Sequence, residues 1–215
     1  MSSVGLLFVG SVLFLNGLLF LGKADVKSVA VFNLFVGGLQ VAVPFYLIAT
    51  AHTPDDILSA AGIFLFGFTY LYVGIVNLAG FKADGIGWYS LWVAALAAGF
   101  GLTEILRFHE TTLGLLWLQW SALWALWALF FVVLALGVER LTTTAGWLTL
   151  ILSLTTCTIP GFLFLLGDWG KIPTWAVIAS IVATAVAVIL IAVRTVPAQS
   201  RTRAAASEVG VAVTN

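Results

Sequence analysis

Charge is what this sequence has least of. Asp, Glu, Lys and Arg make up 8% of its 215 residues, against about 25% in a soluble domain. So little polar surface cannot cover a globule in water, and a soluble fold is excluded. The hydrocarbon core of a bilayer suits such a chain, and it admits only helices or closed barrels. Nine basic and nine acidic residues cancel. Lys and Arg are too sparse for a nucleic-acid surface, so no nucleic-acid partner is expected. Cysteine occurs once, as Cys157 inside an apolar run. With no second cysteine it can form neither an intrachain disulfide nor a cysteine zinc site, and it reads as a small packing residue.

The motifs of catalysis are missing as well. No His or carboxylate pair has metal-ligand spacing, and no apolar run carries HExxH or ExxH. No lysine lies deep in a run to form a Schiff base with retinal, and no G-x-S-x-G or phosphate-cradling loop appears. Ion and proton pathways need ionisable groups within the membrane, yet nearly every charge here sits at the end of an apolar run. The exception is Glu104, a turn from the end of its run, with Arg107 three residues on; a local ion pair accounts for it. No cofactor, metal site or catalytic residue is expected, and an enzyme or an ion pump is disfavoured.

What the chain does have is length of apolar run. A transmembrane barrel would show stretches of about ten residues with alternating polarity. The runs here are continuous and near the ~20 residues of a spanning helix. Seven spans are expected, at 4–21, 29–50, 57–79, 88–106, 113–136, 145–167 and 174–193, in an all-α integral membrane protein. Short polar turns separate them and make consecutive helices antiparallel. The first run lacks a preceding basic residue and a following cleavage site, and so reads as a retained helix. Residues 196–215 read as a disordered tail. Seven basic residues (Lys23, Lys27, Lys82, Arg140, Arg194, Arg201 and Arg203) follow odd-numbered spans, and only Arg107 and Lys171 fall on the other side. The positive-inside bias then puts the N-terminus outside and the tail in the cytoplasm. Gly22-Lys23-Ala24-Asp25 is echoed by Gly80-Phe81-Lys82-Ala83-Asp84, and Val138-Glu139-Arg140 holds the same place in a third pair of spans. The pattern suggests three related hairpins (1–167) around a path through one subunit, followed by an extra helix (168–195).

Aromatic residues are abundant: nine Trp, sixteen Phe and four Tyr. Trp117, Trp120, Trp124 and Trp127 fall in one span, within an arc of about 80° at 100° per residue. An interfacial belt places Trp near span ends, whereas Trp120 and Trp124 stand inside, so the stripe is read as lining something. In the third span Phe64, Phe66, Phe68, Tyr70 and Tyr72 surround Gly67 and Thr69, and Phe66 and Tyr70 share a face. A passage walled by flat rings suits a small, planar, neutral solute and offers hydrated ions nothing in place of their water. Indole N–H groups are donors for such a solute. Asn16 is either a further pore amide or one half of a helix–helix hydrogen bond.

These residues resemble those of a known family. Leu15-Asn16-Gly17, Lys23-Ala24-Asp25-Val26-Lys27-Ser28 and Asn33-Leu34-Phe35-Val36-Gly37-Gly38 are similar to the opening of the urea channels and short-chain amide transporters, the AmiS/UreI family. Phe66-Gly67-Phe68-Thr69-Tyr70-Leu71-Tyr72, Trp88-Tyr89-Ser90-Leu91, Trp117-Leu118-Gln119-Trp120-Ser121-Ala122-Leu123-Trp124 and Ile159-Pro160 resemble its motifs in helices three to six. The likeness spans roughly residues 4–167. It implies a six-helix protomer around its own pore, a homohexameric ring with lipid filling its centre, and passive passage of urea or small aliphatic amides in a bacterial inner membrane. Carried over by motif, Phe66, Tyr70, Trp120, Leu123 and Trp124 line the narrow part, with Leu13, Asn16, Thr69 and Trp117 beside it. Two departures stand out. The acid-gated members have long histidine-bearing outer loops, where this chain has only His52 and His109, and Leu152 stands where they carry a glutamate. Both favour the amide side of the family or an ungated urea path. A coupled secondary transporter would need broken helices and a midplane ion site. A seven-helix receptor, the other alternative, sits poorly with the hairpin repeat.

Overall fold

The structure, a computed structural model, describes residues 3–135, 142–191 and 193. Among them there are seven long apolar helices and no strand. They are α1 (Ser3–Phe20), α2 (Val26–Ala49), α3 (Pro54–Ala79), α4 (Asp84–Leu106), α5 (Thr111–Ala135), α6 (Thr142–Leu166) and α7 (Thr174–Ile191). Each is long and apolar enough to cross a bilayer, and the chain is a multi-pass membrane protein. The Val138-Glu139-Arg140 turn and the 196–215 tail lie outside the described residues.

Several helices start about three residues before the apolar runs do, because polar residues build their first turns. Asp25 caps α2 by accepting the Ser28 N–H at 2.9 Å. Thr53 and Asp56 cap α3 reciprocally: Asp56 Oδ2 accepts the Thr53 N–H and Thr53 Oγ1 accepts the Asp56 N–H. At the other end, the first two turns of the expected repeat share one shape. Gly22 and Gly80 both take the left-handed conformation, at φ 67° and 70°, which ends α1 and α3 without a Cβ penalty.

The first six helices form a ring. Each touches its neighbours in sequence, and α6 closes onto α1. The most extensive packing joins α2 to α3, α4 to α5 and α6 to α1. The tight seams thus lie between the expected hairpin units, and the looser ones within them. Glycines set those seams, as small residues do wherever membrane helices approach closely. A Cβ on Gly67 would lie 2.9 Å from the Gln40 carbonyl carbon of α2, and one on Gly114 2.8 Å from the Gly101 oxygen of α4. α7 packs outside this ring: 11% of it is buried, against 61% of the apolar stretch of α3.

α6 is not uniform. Ser153–Thr158 is a π-helical turn just before Pro160. Pro160 has no N–H to return to the preceding turn. Within the π turn the hydroxyls of Thr155, Thr156 and Thr158 donate to the carbonyls of Ile151, Leu152 and Ser153. This turn sits beside the aromatic helix α5.

Candidate functional site

All four tryptophans of the α5 stripe are buried, as are Phe66 and Tyr70 of α3. Phe68 and Tyr72, on the opposite face of α3, are exposed on the surface of the chain. The aromatic heptamer of the sequence therefore divides by face. Phe64 goes with the outer set, stacked on Phe68 with centroids 5.5 Å apart.

The inner set converges at the centre of the ring. Leu13 of α1, Phe66 and Tyr70 of α3, and Trp120, Leu123, Trp124 and Trp127 of α5 surround one void. Only odd-numbered helices line it. Phe66 is wedged between two tryptophans, its centroid 5.1 Å from Trp120 in an edge-on contact and 4.7 Å from Trp124 in a tilted one. The void measures about 10 Å³, about the space of one water. The rings continue beyond it in both directions. Trp117 stacks on Phe100 at 4.9 Å and meets Trp120 edge-on at 5.0 Å. Trp127 meets Phe20 and Phe131 edge-on at 5.8 and 6.1 Å. From Trp117 to Phe131 the column rises about 20 Å along α5.

The indole N–H groups do not face the void. Trp120 Nε1 donates to Thr156 Oγ1 at 2.9 Å, Trp124 Nε1 to Thr69 Oγ1 at 3.2 Å, and Trp127 Nε1 to Thr149 Oγ1 at 3.1 Å. Trp120 and Trp127 are seven residues apart on α5, and their partners Thr156 and Thr149 are seven apart on α6, as antiparallel register requires. Thr69 and Thr156 pass their own hydroxyl protons to the Leu65 and Leu152 carbonyls, each at 2.6 Å. Each of these tryptophans is thus pinned through its indole N–H to a threonine while its ring borders the void. The expectation that indole donors meet a solute gives way to this arrangement.

Of the nine residues named from the sequence, Leu13, Phe66, Tyr70, Trp120, Leu123 and Trp124 line the void. Thr69 stands behind Trp124 as its hydrogen-bond acceptor. Trp117 extends the column one turn away. Asn16 is spent elsewhere: it exchanges two amide hydrogen bonds with Asn33 of α2, at 3.1 and 2.9 Å, in a fully buried pair. Of the two roles open to it, the helix–helix bond is the one it plays. Trp127, read with the stripe as lining, also borders the void. Two contributors are absent from the sequence candidates, Thr149 and Thr156, although they carry a readable signal, the same seven-residue interval as the tryptophans they hold. Glu104 also differs from expectation, since Arg107 pairs with Asp55 of α3 at 2.6 Å. That pair is exposed and contributes at most about 1 kcal/mol. Leu152 is buried in α6. Among the described residues no group of three His, Cys, Asp or Glu side chains could hold a metal ion.

Replacing Thr69 by Val leaves the buried Trp124 N–H without an acceptor, at a cost of about 1–3 kcal/mol. The indole is then free to turn its edge toward the void. The expected outcome is a lower melting temperature in detergent and poorer discrimination between small solutes. Thr69→Ser restores the acceptor and recovers both, and a serine variant no better than valine would show that the hydroxyl is not what holds the ring.

Comparisons of family, sequence and structure with known proteins point the same way. The AmiS/UreI family transporter profile matches residues 1–168. A Rhodococcus erythropolis chain assigned as transporter protein AmiS2 is 48% identical over 177 residues, covering 82% of this chain and 84% of that one. A Mycolicibacterium smegmatis chain assigned as an amidate substrates transporter is 35% identical over 190 residues, covering 88% of each. Among solved structures, the Helicobacter pylori urea channel in its closed state matches with a TM-score of 0.70 and 31% identity, over 79% of this chain and 100% of that one.

Proposed function

The chain belongs to the AmiS/UreI family of transporters, and from that premise we propose that it is a passive channel for urea and short-chain aliphatic amides. The observation that carries the reading is the void ringed by Phe66, Tyr70, Leu123 and three pinned tryptophans. Its wall presents ring faces and aliphatic carbon. A hydrated ion would lose its water there with no dipole to replace it. A planar, uncharged amide can slide between flat faces by dispersion. The indole donors at Trp120, Trp124 and Trp127 are occupied, so the Tyr70 phenol is the polar group the lining offers. Few polar contacts mean weak binding, which suits fast passage with low affinity and little saturation. A void of about 10 Å³ is smaller than urea, so each passage requires the rings of Phe66 and the tryptophans to part briefly.

In this reading residues 1–167 form the conducting bundle and 168–195 an outer helix, with 196–215 a cytoplasmic tail. The odd number of spans and the excess of Lys and Arg after odd spans support an N-terminus outside and a C-terminus in the cytoplasm of a bacterial inner membrane. We also propose assembly as a homohexamer whose centre is filled by lipid, as the family resemblance implies.

Liposomes carrying the purified protein should swell faster than empty ones under a urea or acetamide gradient, and the rate should not depend on a proton or sodium gradient. Swelling equal to that of empty liposomes would sink the proposal. Uphill uptake driven by an ion gradient would replace it with a coupled transporter.

A further inference from the structure

The hydrogen bonds that hold the constriction leave one polar group beside it unused. Tyr89 of α4 has a partly buried ring, edge-on to Tyr72 of α3 at 6.2 Å and stacked on Trp92 at 6.1 Å. Its hydroxyl is buried, with no hydrogen-bond partner among the described residues. At membrane depth there is no bulk water to satisfy it. The polar side chain it interacts with is Thr69, one turn before Tyr72 on α3. That threonine already holds Trp124. A hydroxyl has one proton and two lone pairs. The Thr69 proton goes to the Leu65 carbonyl at 2.6 Å, and one lone pair takes the Trp124 N–H at 3.2 Å. The second bond is at the long end of the usual range. A second lone pair remains on Thr69, and beside it stands a phenol proton without an acceptor.

We infer that Tyr89 is a positioning residue of the filter, whose hydroxyl takes over Thr69 as Trp124 lets go. The role rests on the channel reading, in which the rings part for each solute. When the Trp124 indole swings aside, its N–H leaves Thr69, and a hydrogen bond is lost in a dry site. The Tyr89 O–H then donates to Thr69, so the acceptor is not left empty. The unmet phenol is a cost of the closed arrangement alone, and its relief lowers the parted one. Both effects narrow the gap between the two states. The seam between α3 and α4 is one of the loose ones, so the Tyr89 ring has room for the small tilt the exchange needs. Trp124 in turn presents its freed N–H to the passage at the moment a solute carbonyl is there to accept it.

The test is Tyr89→Phe in the full-length protein, which keeps the ring and its contacts with Tyr72 and Trp92 and removes only the hydroxyl. The melting temperature in detergent should stay the same or rise slightly, because the closed arrangement loses no bond. A merely structural hydroxyl would lower it. In ¹⁵N NMR the Trp124 indole N–H, identified by its loss in Trp124→Phe, should exchange with a minor state on the μs–ms timescale. Tyr89→Phe should cut the population of that state about fivefold, the factor one hydrogen bond supplies. Urea-driven swelling of liposomes should fall by a similar factor. In a Thr69→Val background Tyr89→Phe should add nothing, since both act through one hydroxyl. An undiminished or undetectable minor state, a lowered melting temperature with unchanged exchange, or additive effects in the double variant overturns the inference. The exchange is read without transport, so a wild type that shows it but does not swell liposomes counts against the channel and for the role of Tyr89.

Discussion

Trp124→Ala is expected to raise the permeation of butyramide relative to urea at least about tenfold, the factor that a barrier change of about 1.4 kcal/mol produces. The ring of Trp124 closes one side of a void of about 10 Å³ and is 4.7 Å from Phe66 on the other. Deleting it removes one jaw of the narrowest place while Phe66 keeps its packing on Trp120. Large solutes gain most, because urea already needs the smallest parting of the rings. The same deletion empties a buried site, at a cost of about 3–5 kcal/mol in stability. Trp124→Phe is the necessary companion, for it keeps an aromatic face and loses only part of the ring and the bond to Thr69. Swelling rates for urea, acetamide and butyramide should rank the phenylalanine variant between wild type and alanine. If alanine leaves the ratio unchanged, Trp124 is not part of the filter, whatever the overall rate does.

The sequence exposes the membrane fold because span length and hydropathy are local properties of a chain in hydrocarbon. The Trp117–Trp127 stripe is readable for the same reason, since a helix's own period places four rings on one face. What was not readable is which groups meet. For Asn16 the sequence allows two roles, a pore amide or a helix–helix hydrogen bond, and only the packing of α1 on α2 brings it to Asn33. Arg107 had a carboxylate three residues away in Glu104, yet the turn geometry brings Asp55 from α3 within 2.6 Å. The indole donors point to α3 and α6 because helix rotation turns their edges toward Thr69, Thr149 and Thr156. The matching intervals of Trp120–Trp127 and Thr149–Thr156 could have revealed two of these bonds, given the antiparallel direction already expected. Likewise, short loops correctly imply antiparallel neighbours but say nothing of how closely they approach. Glycine placement decides that, and it puts the tight seams between the repeated units.

Gly161→Val is expected to destabilise the bundle by about 3 kcal/mol, the upper end of what overpacking a core costs, or to prevent its assembly. Gly161 lies in α6 just after the π turn, on the seam that closes the ring onto α1. A Cβ there would be 2.8 Å from the Leu7 amide nitrogen, 3.1 Å from the Leu7 Cα and 3.3 Å from the Leu6 carbonyl carbon. All three are backbone atoms of a helix, so no side chain can swing aside and the two helices must separate. Separation moves α6 off α1 and, through Thr149 and Thr156, withdraws the supports of Trp127 and Trp120. The variant should therefore lose both thermal stability in detergent and solute selectivity in liposomes. Gly99→Val is the control, because a Cβ on Gly99 meets nothing within 4 Å and any change there reflects helix propensity alone, well under 1 kcal/mol. Equal melting temperatures for the two variants would mean that α1 and α6 are not held at the distance described, and the ring around the aromatic void would have to be redrawn.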